Sequence, residues 1–316
     1  MGATQFKRAE LENQEIISHY FEHHTSRSCE RTFANVYLWS RQYPVKWAII
    51  KNALVFKSED ENHVSFAYPA GAPEDVKNAL EEMMEYSKAK GRPFLMYNVT
   101  PEYFAQLEEW YPGRFQIEYD RDSADYVYES EKLATLSGKK LHGKRNHINK
   151  FKKTYNYEYT PITADRIREC LDLEAEWCKV NNCDQHEGTG NERRALIYAL
   201  HNFDALGLTG GILHGRGKIA AFTFGMPINQ DTFGVHVEKA DTRIDGAYAM
   251  INYEFANHIP EQYIYINREE DLGIEGCGKQ NFPISLPLIL EKYVRLFKRT
   301  AGRGHQVVKK VKLTGL

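Results

Sequence analysis

The apolar positions in the first third of the chain predict a sheet with helices packed against it. Two runs rich in β-branched and aromatic residues flank a Lys51-Asn52 turn, and a third such run follows. After Gly71, apolar residues recur at helical spacing. The predicted elements, in chain order, are two strands within residues 45–57, a strand at 63–69, a helix ending at Gly91, a buried strand at 93–99, a helix at 103–110 and a strand at 115–119.

The same order of elements recurs in the second part of the chain. Three β-rich runs are separated by short polar turns, and an amphipathic segment then leads to a further apolar run. The predicted elements are strands at 208–214, 218–227 and 232–238, a helix that begins at Asp245-Gly246, a buried strand at 262–267 and a last amphipathic helix across 286–297.

This repetition predicts an α/β protein with two mixed sheets. A strand followed by a crossover helix and a second strand favours parallel pairing, whereas the meander before it is antiparallel. A chain of 316 residues also exceeds the usual size of one compact core. We therefore expect two domains, at residues 1–130 and 131–316. Residues 123–153 form the join, with Gly138 and Gly143 as helix breakers.

Apolar runs and cysteines constrain the compartment and the metal chemistry. No run approaches the roughly 18 consecutive apolar residues of a membrane helix, and the first residues lack the apolar core of a signal peptide. We therefore expect a cytoplasmic protein. Five cysteines without a C-x-x-C pair indicate reduced thiols. Cys178, Cys183 and His186 form a C-x4-C-x2-H string that lacks a clear fourth ligand, so we predict no metal.

The formal net charge of −2 hides a strong asymmetry along the chain. Residues 132–153 carry eight Lys or Arg and no Asp or Glu, and residues 292–316 repeat that count. Such segregation is typical of proteins that bind an anionic partner. It is equally typical of two solvated helical faces, and charge alone does not choose between these interpretations.

Two segments of the sequence resemble a known protein family. DYVYESEKLATLSGKKLHGKRNHINKFKK, residues 125–153, and INREEDLGIEGCGK, residues 266–279, resemble bacterial proteins related to the C-terminal catalytic domain of phosphatidylglycerol lysyltransferase. The resemblance covers nearly the whole chain. It implies two tandem GNAT-like acyltransferase domains, as in the Fem-type peptidyltransferases. It also implies transfer of an aminoacyl group from a charged tRNA to a lipid headgroup. This sequence lacks the membrane-spanning portion of those enzymes, which disfavours a membrane lipid as acceptor.

The GNAT resemblance also implies acetyl-CoA or acyl-CoA as an alternative donor. In that fold the cofactor pyrophosphate lies on a loop resembling Q/R-x-x-G-x-G/A at a helix N-terminus, where free backbone N–H groups bind phosphate. The corresponding loop here reads ADTRIDGAYAM, so Arg243, Gly246 and Ala247 are the candidate cofactor-binding residues. The alternative interpretation is an ordinary Asp-Gly turn that caps a helix.

The acid-free segment provides candidate residues for binding the donor. On a predicted helix at 139–153, Lys144 falls on the apolar stripe with Arg145 beside it. Such cations neutralise phosphates, and Asn149 adds hydrogen-bonding capacity, so this helix is predicted to hold a nucleotide or a tRNA backbone. Alternatively, Lys144 extends from the edge of the stripe to solvent.

A carboxylate interrupts the apolar face of another predicted helix, at 165–181. Glu174 shares this face with apolar residues, and a buried carboxylate is costly unless it is paired. It is a candidate for orienting a substrate amine. The alternative is an ion pair with an arginine of the facing sheet.

The catalytic candidates lie on and after two strands of the second half. Strict alternation along residues 232–238 places His236 and Glu238 on one face, where either is suited to act as general base. The loop after the buried strand carries Asn267, as a substrate-binding candidate, and Asp271, as a catalytic one. Simple solvation of this acidic loop is the alternative.

Together these features predict an acyl- or aminoacyl-transferase in which an amine attacks an aminoacyl-tRNA ester or an acyl-CoA thioester. The reaction centre is expected in the second half, because the equivalent positions of the first half offer only the carboxylate of Glu102. The alternative function is a non-catalytic tandem domain that binds an anionic ligand or a nucleic acid.

Overall fold

A computed structural model describes residues 5–22, 24–61, 63–119, 123–181, 183, 187–215, 217–270, 288–290 and 293–298. Contacts divide the chain into two compact units. The first comprises described residues of Met1–His24, Trp39–Ser123 and Glu291–Leu316, and the second those of Thr25–Leu38 and Ala124–Leu290. These units alternate along the sequence, whereas the predicted domains are continuous, so the domain bounds 1–130 and 131–316 stay a prediction.

The described residues form the following helices: α1 (Gln14–Phe21), α2 (Phe33–Trp39), α3 (Pro73–Ala89), α4 (Pro101–Trp110), α5 (Ser130–Thr135), α6 (His142–Thr154), α7 (Ile167–Asn181), α8 (Glu187–His201) and α9 (Ala247–His258). Within this part of the chain, no helix has both the length and the apolar character needed to cross a bilayer.

The strands are β1 (Val45–Ile50), β2 (Ala53–Glu59), β3 (Val64–Ala67), β4 (Leu95–Tyr97), β5 (Phe115–Tyr119), β6 (Asp125–Glu129), β7 (Tyr157–Pro161), β8 (Thr209–Gly215), β9 (Lys218–Pro227), β10 (Thr232–Ala240), β11 (Tyr265–Glu270), β12 (Leu288–Leu290) and β13 (Tyr293–Lys298).

The first unit contains a sheet in the order β1-β2-β3-β4. β1, β2 and β3 form an antiparallel meander, and α3 then carries the chain across so that β4 pairs with β3 in parallel. Lys51 and Asn52 both have positive φ, which matches the right-handed twist of the strands that this turn joins. Apolar side chains of α3 fill a core with those of β2, β3 and β4. The predicted meander, helix and parallel strand are thereby confirmed.

The second unit repeats this connectivity in a sheet ordered β12-β6-β11-β10-β9-β8-β7. β8, β9 and β10 form the meander, and α9 leads to β11, which is parallel to β10. The helices α5, α6 and α9 share one apolar core with β10, and α7 packs against β9 and β10. The order predicted from the turns and the apolar spacing is confirmed here as well.

β10 and β11 separate before they end. Their parallel pairing covers only Thr232 to Gly234 on β10 and Tyr265 to Asn267 on β11, although both strands continue beyond these residues. We call the gap between the two strands beyond this point the notch. Because the carboxyl ends of parallel strands form crevices where such strands part, the notch is the place in this fold where a ligand is expected.

The last predicted helix is wrong. Within residues 286–297 the structure has β12, which pairs with β6, and part of β13, which pairs with β5. Both strands are antiparallel to partners more than 150 positions earlier in the sequence. A short apolar run fits a helix and a buried strand equally well, so the available sheet edges decided the outcome. The prediction that Gly143 breaks a helix is also wrong, because Gly143 lies inside α6.

Candidate functional site

Glu238 lies at the notch and is fixed by two hydrogen bonds. The Asn252 amide of α9 donates to Oε2 at 3.1 Å, and the Arg268 guanidinium of β11 donates to Oε1 at 3.1 Å. The side chains of Glu238 and Arg268 are only 11% and 7% exposed. A buried ion pair of this kind persists when further hydrogen bonds satisfy it, and Asn252 supplies one.

Lys144 of α6 adds a second cation to this group. Burial and the neighbouring Arg268 guanidinium lower the pKa of Lys144 to about 7, whereas the Glu238 carboxylate acts in the opposite direction. Near neutral pH the amine therefore exists in both protonation states. Lys144, Glu238, Asn252 and Arg268 are called the charged notch group below. A perturbed amine with a specific charged partner is typical of a functional site.

His236 forms a second polar pair across the same two strands. Its Nδ1 lies 2.6 Å from Oε1 of Glu269, and the imidazole is 5% exposed. When Nδ1 carries the proton, Nε2 is left as an acceptor, and among the described residues it has no hydrogen-bond partner. Burial raises the pKa of Glu269, and the bond to His236 opposes that shift.

Glu269 reaches His236 from an unusual backbone conformation. Its φ is 60°, in the left-handed region, and its N–H donates to Oδ1 of Asn267 at 2.7 Å. The pairing of β11 with β6 is irregular at this place. Strain of about 1–3 kcal/mol is usual for such a residue, and strained residues cluster at functional sites.

The strict alternation predicted for β10 is wrong because the strand contains a β-bulge. Val235 pairs with Gly225 and Val237 pairs with Phe224. Consecutive residues of β9 point to opposite faces, so the two valines do as well. His236 lies between them as the additional residue of the bulge, which re-aims side chains.

In consequence His236 and Glu238 have different hydrogen-bond partners, and their role in one reaction centre stays a prediction. His236 bonds to Glu269, whereas Glu238 bonds to Asn252 and Arg268. Both sets of bonds still connect β10 with β11 or its crossover helix. The notch therefore carries two separate hydrogen-bonded groups.

Asn267 supports the strand framework. It is fully buried, and its amide donates to the Arg27 carbonyl at 2.6 Å and to Asp125 at 2.8 Å. With the bond it accepts from Glu269, its side-chain oxygen and nitrogen are both engaged. A role in substrate binding stays a prediction, and the other candidate of this loop, Asp271, lies outside the described residues.

The remaining α6 candidates differ in their surroundings. Arg145 donates to the carbonyls of Leu136 and Gly138, so its guanidinium is engaged at the C-terminal end of α5. Asn149 is exposed. The stripe that places Lys144 toward the core is confirmed by Phe151, which is buried. Anion binding by Arg145 and Asn149 stays a prediction.

The predicted cofactor loop is engaged with its own protein. Arg243 bonds to the carboxylates of Asp241 and Glu176, each at 2.8 Å. Gly246 precedes α9 with φ of 85°, and the buried Ala247 donates its N–H to the Ile244 carbonyl at 3.1 Å. Phosphate binding by Arg243, Gly246 and Ala247 stays a prediction, although the Ala247 amide already has an acceptor.

Glu174 lies on the opposite side of the sheet from the charged notch group. It is 2% exposed on α7, and Nε of Arg193, on α8 and not on the facing sheet, lies 3.9 Å from Oε1. Burial raises the pKa of Glu174 to about 7, while Lys239 of β10 opposes the shift. Because Lys239 directly follows Glu238 in a paired strand, their side chains point to opposite faces.

Sequence reasoning missed Arg268 and Asn252. Arg268 directly follows the buried Asn267 within the quoted string, and Asn252 is a polar residue next to the apolar Met250 and Ile251 of α9. A polar side chain at such a position is a signal of a buried partner. The identity of the partner depends on the parting of β10 and β11, which no local pattern reveals.

The fold defines the class of protein. The solved structure of L-PGS from Bacillus licheniformis aligns with a TM-score of 0.61 at 13% identity, over 91% of this chain and 92% of that one. This likeness shows that the two chains share a fold, which here is mixed α/β with two mixed sheets. The sequence profile described as phosphatidylglycerol lysyltransferase, C-terminal, matches residues 21–280. The chain belongs to this family.

Two other relatives have no known function. A conserved protein of unknown function from Bacteroides thetaiotaomicron VPI-5482 is 57% identical and aligns with a TM-score of 0.88, over 94% of this chain and 100% of that one. An uncharacterised protein of Mycoplasmoides gallisepticum is 25% identical over 193 residues, or 59% of this chain. The latter match spans 60% of that relative's length.

Proposed function

We propose that this protein transfers an aminoacyl group from an aminoacyl-tRNA to an acceptor amine, and that the reaction takes place at the notch of the second unit. Membership of the lysyltransferase family supports the reaction class. The single observation that carries the location is the parting of β10 and β11, with Lys144, Glu238 and Arg268 gathered beside it.

The two cations at the notch, Lys144 and Arg268, suit an aminoacyl-tRNA as the donor. Arg268 is held in place by its bond to Glu238, so its guanidinium is pre-oriented at the notch. In the proposed reaction it faces the ester carbonyl, on which negative charge develops as the amine attacks. Fixed donors in a site that excludes water stabilise such an oxyanion without reorganisation. Asn149 is exposed on α6 within the acid-free segment, where its amide is suited to hydrogen bond to the tRNA backbone.

The proton of the attacking amine is assigned to Lys144. Its neutral form accepts the proton while the amine nitrogen forms a bond to the carbonyl carbon. The bond from that carbon to the ribose oxygen of the tRNA then breaks, and the proton passes to the departing oxygen. A base with a pKa near the operating pH is most efficient at this. Glu238 stabilises the protonated lysine.

His236 is the second candidate for proton transfer. Its pairing with Glu269 fixes the imidazole and leaves Nε2 as the acceptor. A carboxylate that orients a histidine in this way is a recurring arrangement for general bases. Asp271 stays a predicted catalytic residue. Separate His236→Gln and Lys144→Met variants tell the two bases apart, because only the true base changes the pH profile of the rate.

A donor screen tests the proposed function. Purified full-length protein is incubated with bulk tRNA charged with radiolabelled amino acids, or with labelled acetyl-CoA, in the presence of amine acceptors. We expect label to leave the tRNA in a time-dependent way with wild type and much more slowly with Arg268→Gln. The control Glu261→Gln, at an exposed turn, is expected to match wild type.

Three outcomes of the donor screen would change or contradict the proposed function. Consumption of acetyl-CoA alone would replace the proposed donor by a thioester. Tight binding of tRNA without any loss of the aminoacyl group would support the non-catalytic alternative. Equal activity of wild type and Arg268→Gln would remove the reaction from the notch.

A further inference from the structure

Three potential metal ligands converge at the end of α7, on the face of the sheet away from the charged notch group. The thiols of Cys178 and Cys183 and a carboxylate oxygen of Glu174 all lie within 4.8 Å of one another, and all three residues are buried. Glu174 and Cys178 are four residues apart on one helix, so their side chains lie on the same face. Cys183 lies two positions beyond the last residue of α7, and its thiol is close to both of them.

The spacing of these atoms suits a small divalent cation. Zinc binds thiolate sulfur at about 2.3 Å and carboxylate oxygen at about 2.0–2.2 Å in a tetrahedron, which places neighbouring ligand atoms roughly 3.4–3.8 Å apart. The three ligand atoms lie within 4.8 Å of one another, so one ion between them is within reach of all three. Three protein ligands leave the fourth position to water.

Glu174 supplies an independent observation. Its side chain is almost fully enclosed, and Oε2 has no hydrogen-bond partner within the described part of the chain. An enclosed carboxylate oxygen is costly unless a charge or a donor compensates it. Lys239 does not fill that role by hydrogen bonding, because its ammonium donates to Glu192 at 2.7 Å and lies 3.7 Å from the Trp177 ring centroid.

The charges around the three ligands are compatible with a bound cation. Two thiolates and one carboxylate carry three negative charges, and a divalent ion leaves one. Arg193 lies near that remaining charge, with its Nε 3.9 Å from Oε1 of Glu174. Lys239 and Glu192 neutralise each other. A divalent ion therefore compensates two of the three negative charges of the enclosed ligands.

We propose that Glu174, Cys178 and Cys183 bind a divalent metal ion of the zinc class. Two sulfur ligands select a borderline-soft ion such as Zn²⁺ over Mg²⁺ or Ca²⁺, which prefer oxygen. The ion joins the last turns of α7 to the residue that follows the helix. Trp177 of the same turn donates to the Tyr248 hydroxyl of α9 at 3.0 Å, so this end of α7 is also connected to the crossover helix.

A second group with similar chemistry is less suited to a metal. Cys29, Glu30 and Asp125 also lie within 4.8 Å of one another. However, the Asp125 carboxylate already accepts bonds from the Cys29 N–H and the Asn267 amide, at 3.1 and 2.8 Å. A cation would have to replace these hydrogen bonds.

The test measures metal content and metal chemistry of the full-length protein. We expect about one zinc per chain by mass spectrometry of protein purified without chelator, and sulfur-to-metal charge-transfer absorption when Co²⁺ replaces it. Cys178→Ser and Cys183→Ser should each lose the Co²⁺ signal. Cys170→Ser is the matched control, since Cys170 is a buried cysteine of the same helix that is not in the group.

Two outcomes would overturn the site. One is a wild-type protein that neither contains zinc nor gives thiolate absorption on titration with Co²⁺, a measurement that needs no variant to fold. The other is a Co²⁺ signal that persists in Cys178→Ser and Cys183→Ser and disappears in Cys170→Ser. Thiol counting under denaturing conditions covers the remaining alternative, because a Cys178–Cys183 disulfide in freshly purified protein would also contradict the proposal.

Discussion

Lys144 lies where its positive charge is disfavoured, and this position also suits a role in the reaction. It lies half-buried on α6, where burial and Arg268 both disfavour its charge and Glu238 favours it. A lysine selected for solubility alone would sit on the exposed face of this helix, as Lys153 does. The cost of the buried amine therefore points to a role in the proton chemistry of the notch.

This cost gives a pH-dependent prediction for stability. The pKa of Lys144 is about 7 in the folded protein and near its usual value of 10.5 when the chain unfolds. Below pH 7 the amine is charged in both states, so the penalty is fully present. It fades as pH rises toward 10.5, because folding then no longer requires loss of a proton. Lys144→Met should therefore raise stability relative to wild type at pH 6, and this gain should shrink by pH 9.

Chemical denaturation at the two pH values measures the effect. The control Lys153→Met removes an exposed lysine of the same helix and should show no such pH dependence. A constant difference between Lys144→Met and wild type across this range would mean that the lysine keeps its ordinary pKa.

At the level of single residues, part of the candidate site was predictable from the sequence. Lys144, Glu238 and His236 stood out because each is polar in an otherwise apolar pattern. Their partners were not predictable. Arg268 reaches Glu238 across 30 positions of sequence, and Glu269 reaches His236 only through a left-handed backbone conformation.

At the scale of elements, β9 and β10 approach unusually closely beside the notch. A Cβ atom added to Gly225 would lie 1.8 Å from the carbonyl oxygen of Gly234. That oxygen belongs to the last residue of β10 that pairs with β11. The glycine therefore lets β10 keep its path up to the point where the two strands part.

Gly225→Ala should destabilise the protein, because the added methyl group must displace backbone. Overpacking of this kind costs about 1–3 kcal/mol. Urea denaturation measures the change in the free energy of unfolding. Gly188→Ala, with no atom within 4 Å of the added Cβ, serves as the control and should be neutral or slightly stabilising. An unchanged stability of Gly225→Ala would contradict the close approach of β9 and β10.

The bulge in β10 explains why an element predicted in the right place carried a wrong face assignment. The bounds of the strand at 232–238 agree with β10, yet the extra residue at His236 reverses the alternation beyond it. A bulge leaves no simple mark in the sequence. The helix predicted at 286–297 was wrong for a related reason. Strand pairing with distant sheet edges outweighed a local helical pattern.

At the scale of the whole molecule, a segment remote in sequence belongs to the second unit. Thr25–Leu38 joins the unit that otherwise begins at Ala124. Asp125 holds it there: this fully buried carboxylate accepts a bond from the Cys29 N–H at 3.1 Å. Asp231 adds an ion pair with Arg27 at 2.6 Å. The association was not predictable, because nothing in the local pattern of residues 25–38 indicates a partner 100 positions away.

Asp125→Ala should loosen this segment. The substitution removes the acceptor of the Cys29 N–H and one of the two acceptors of the Asn267 amide, at a cost of about 1–3 kcal/mol for each buried donor group left unsatisfied. Hydrogen exchange should accelerate across Thr25–Leu38 more than in β8 and β9. Asp204→Ala, in an exposed turn, is the control. Unchanged protection of Thr25–Leu38 in the Asp125 variant would show that other contacts hold the segment.

The repeated order of meander, helix and parallel strand was predictable because each element rests on a local period of apolar residues and on turn chemistry. The same connectivity appears in both sheets. The edge strand β12 of the larger sheet and the irregular ends of β10 and β11 depend on non-local pairing. For that reason the fold class followed from the sequence, and the geometry of the notch did not.

The single-turnover rate of aminoacyl transfer, with the donor that the screen identifies, tests whether the notch is the reaction centre. Glu238→Gln and Arg268→Gln are compared with wild type and with Glu261→Gln at saturating protein. If the notch is the reaction centre, both notch variants slow transfer by at least about tenfold, equivalent to about 1.4 kcal/mol of barrier, and the control does not. Transfer at the wild-type rate by both notch variants would contradict it.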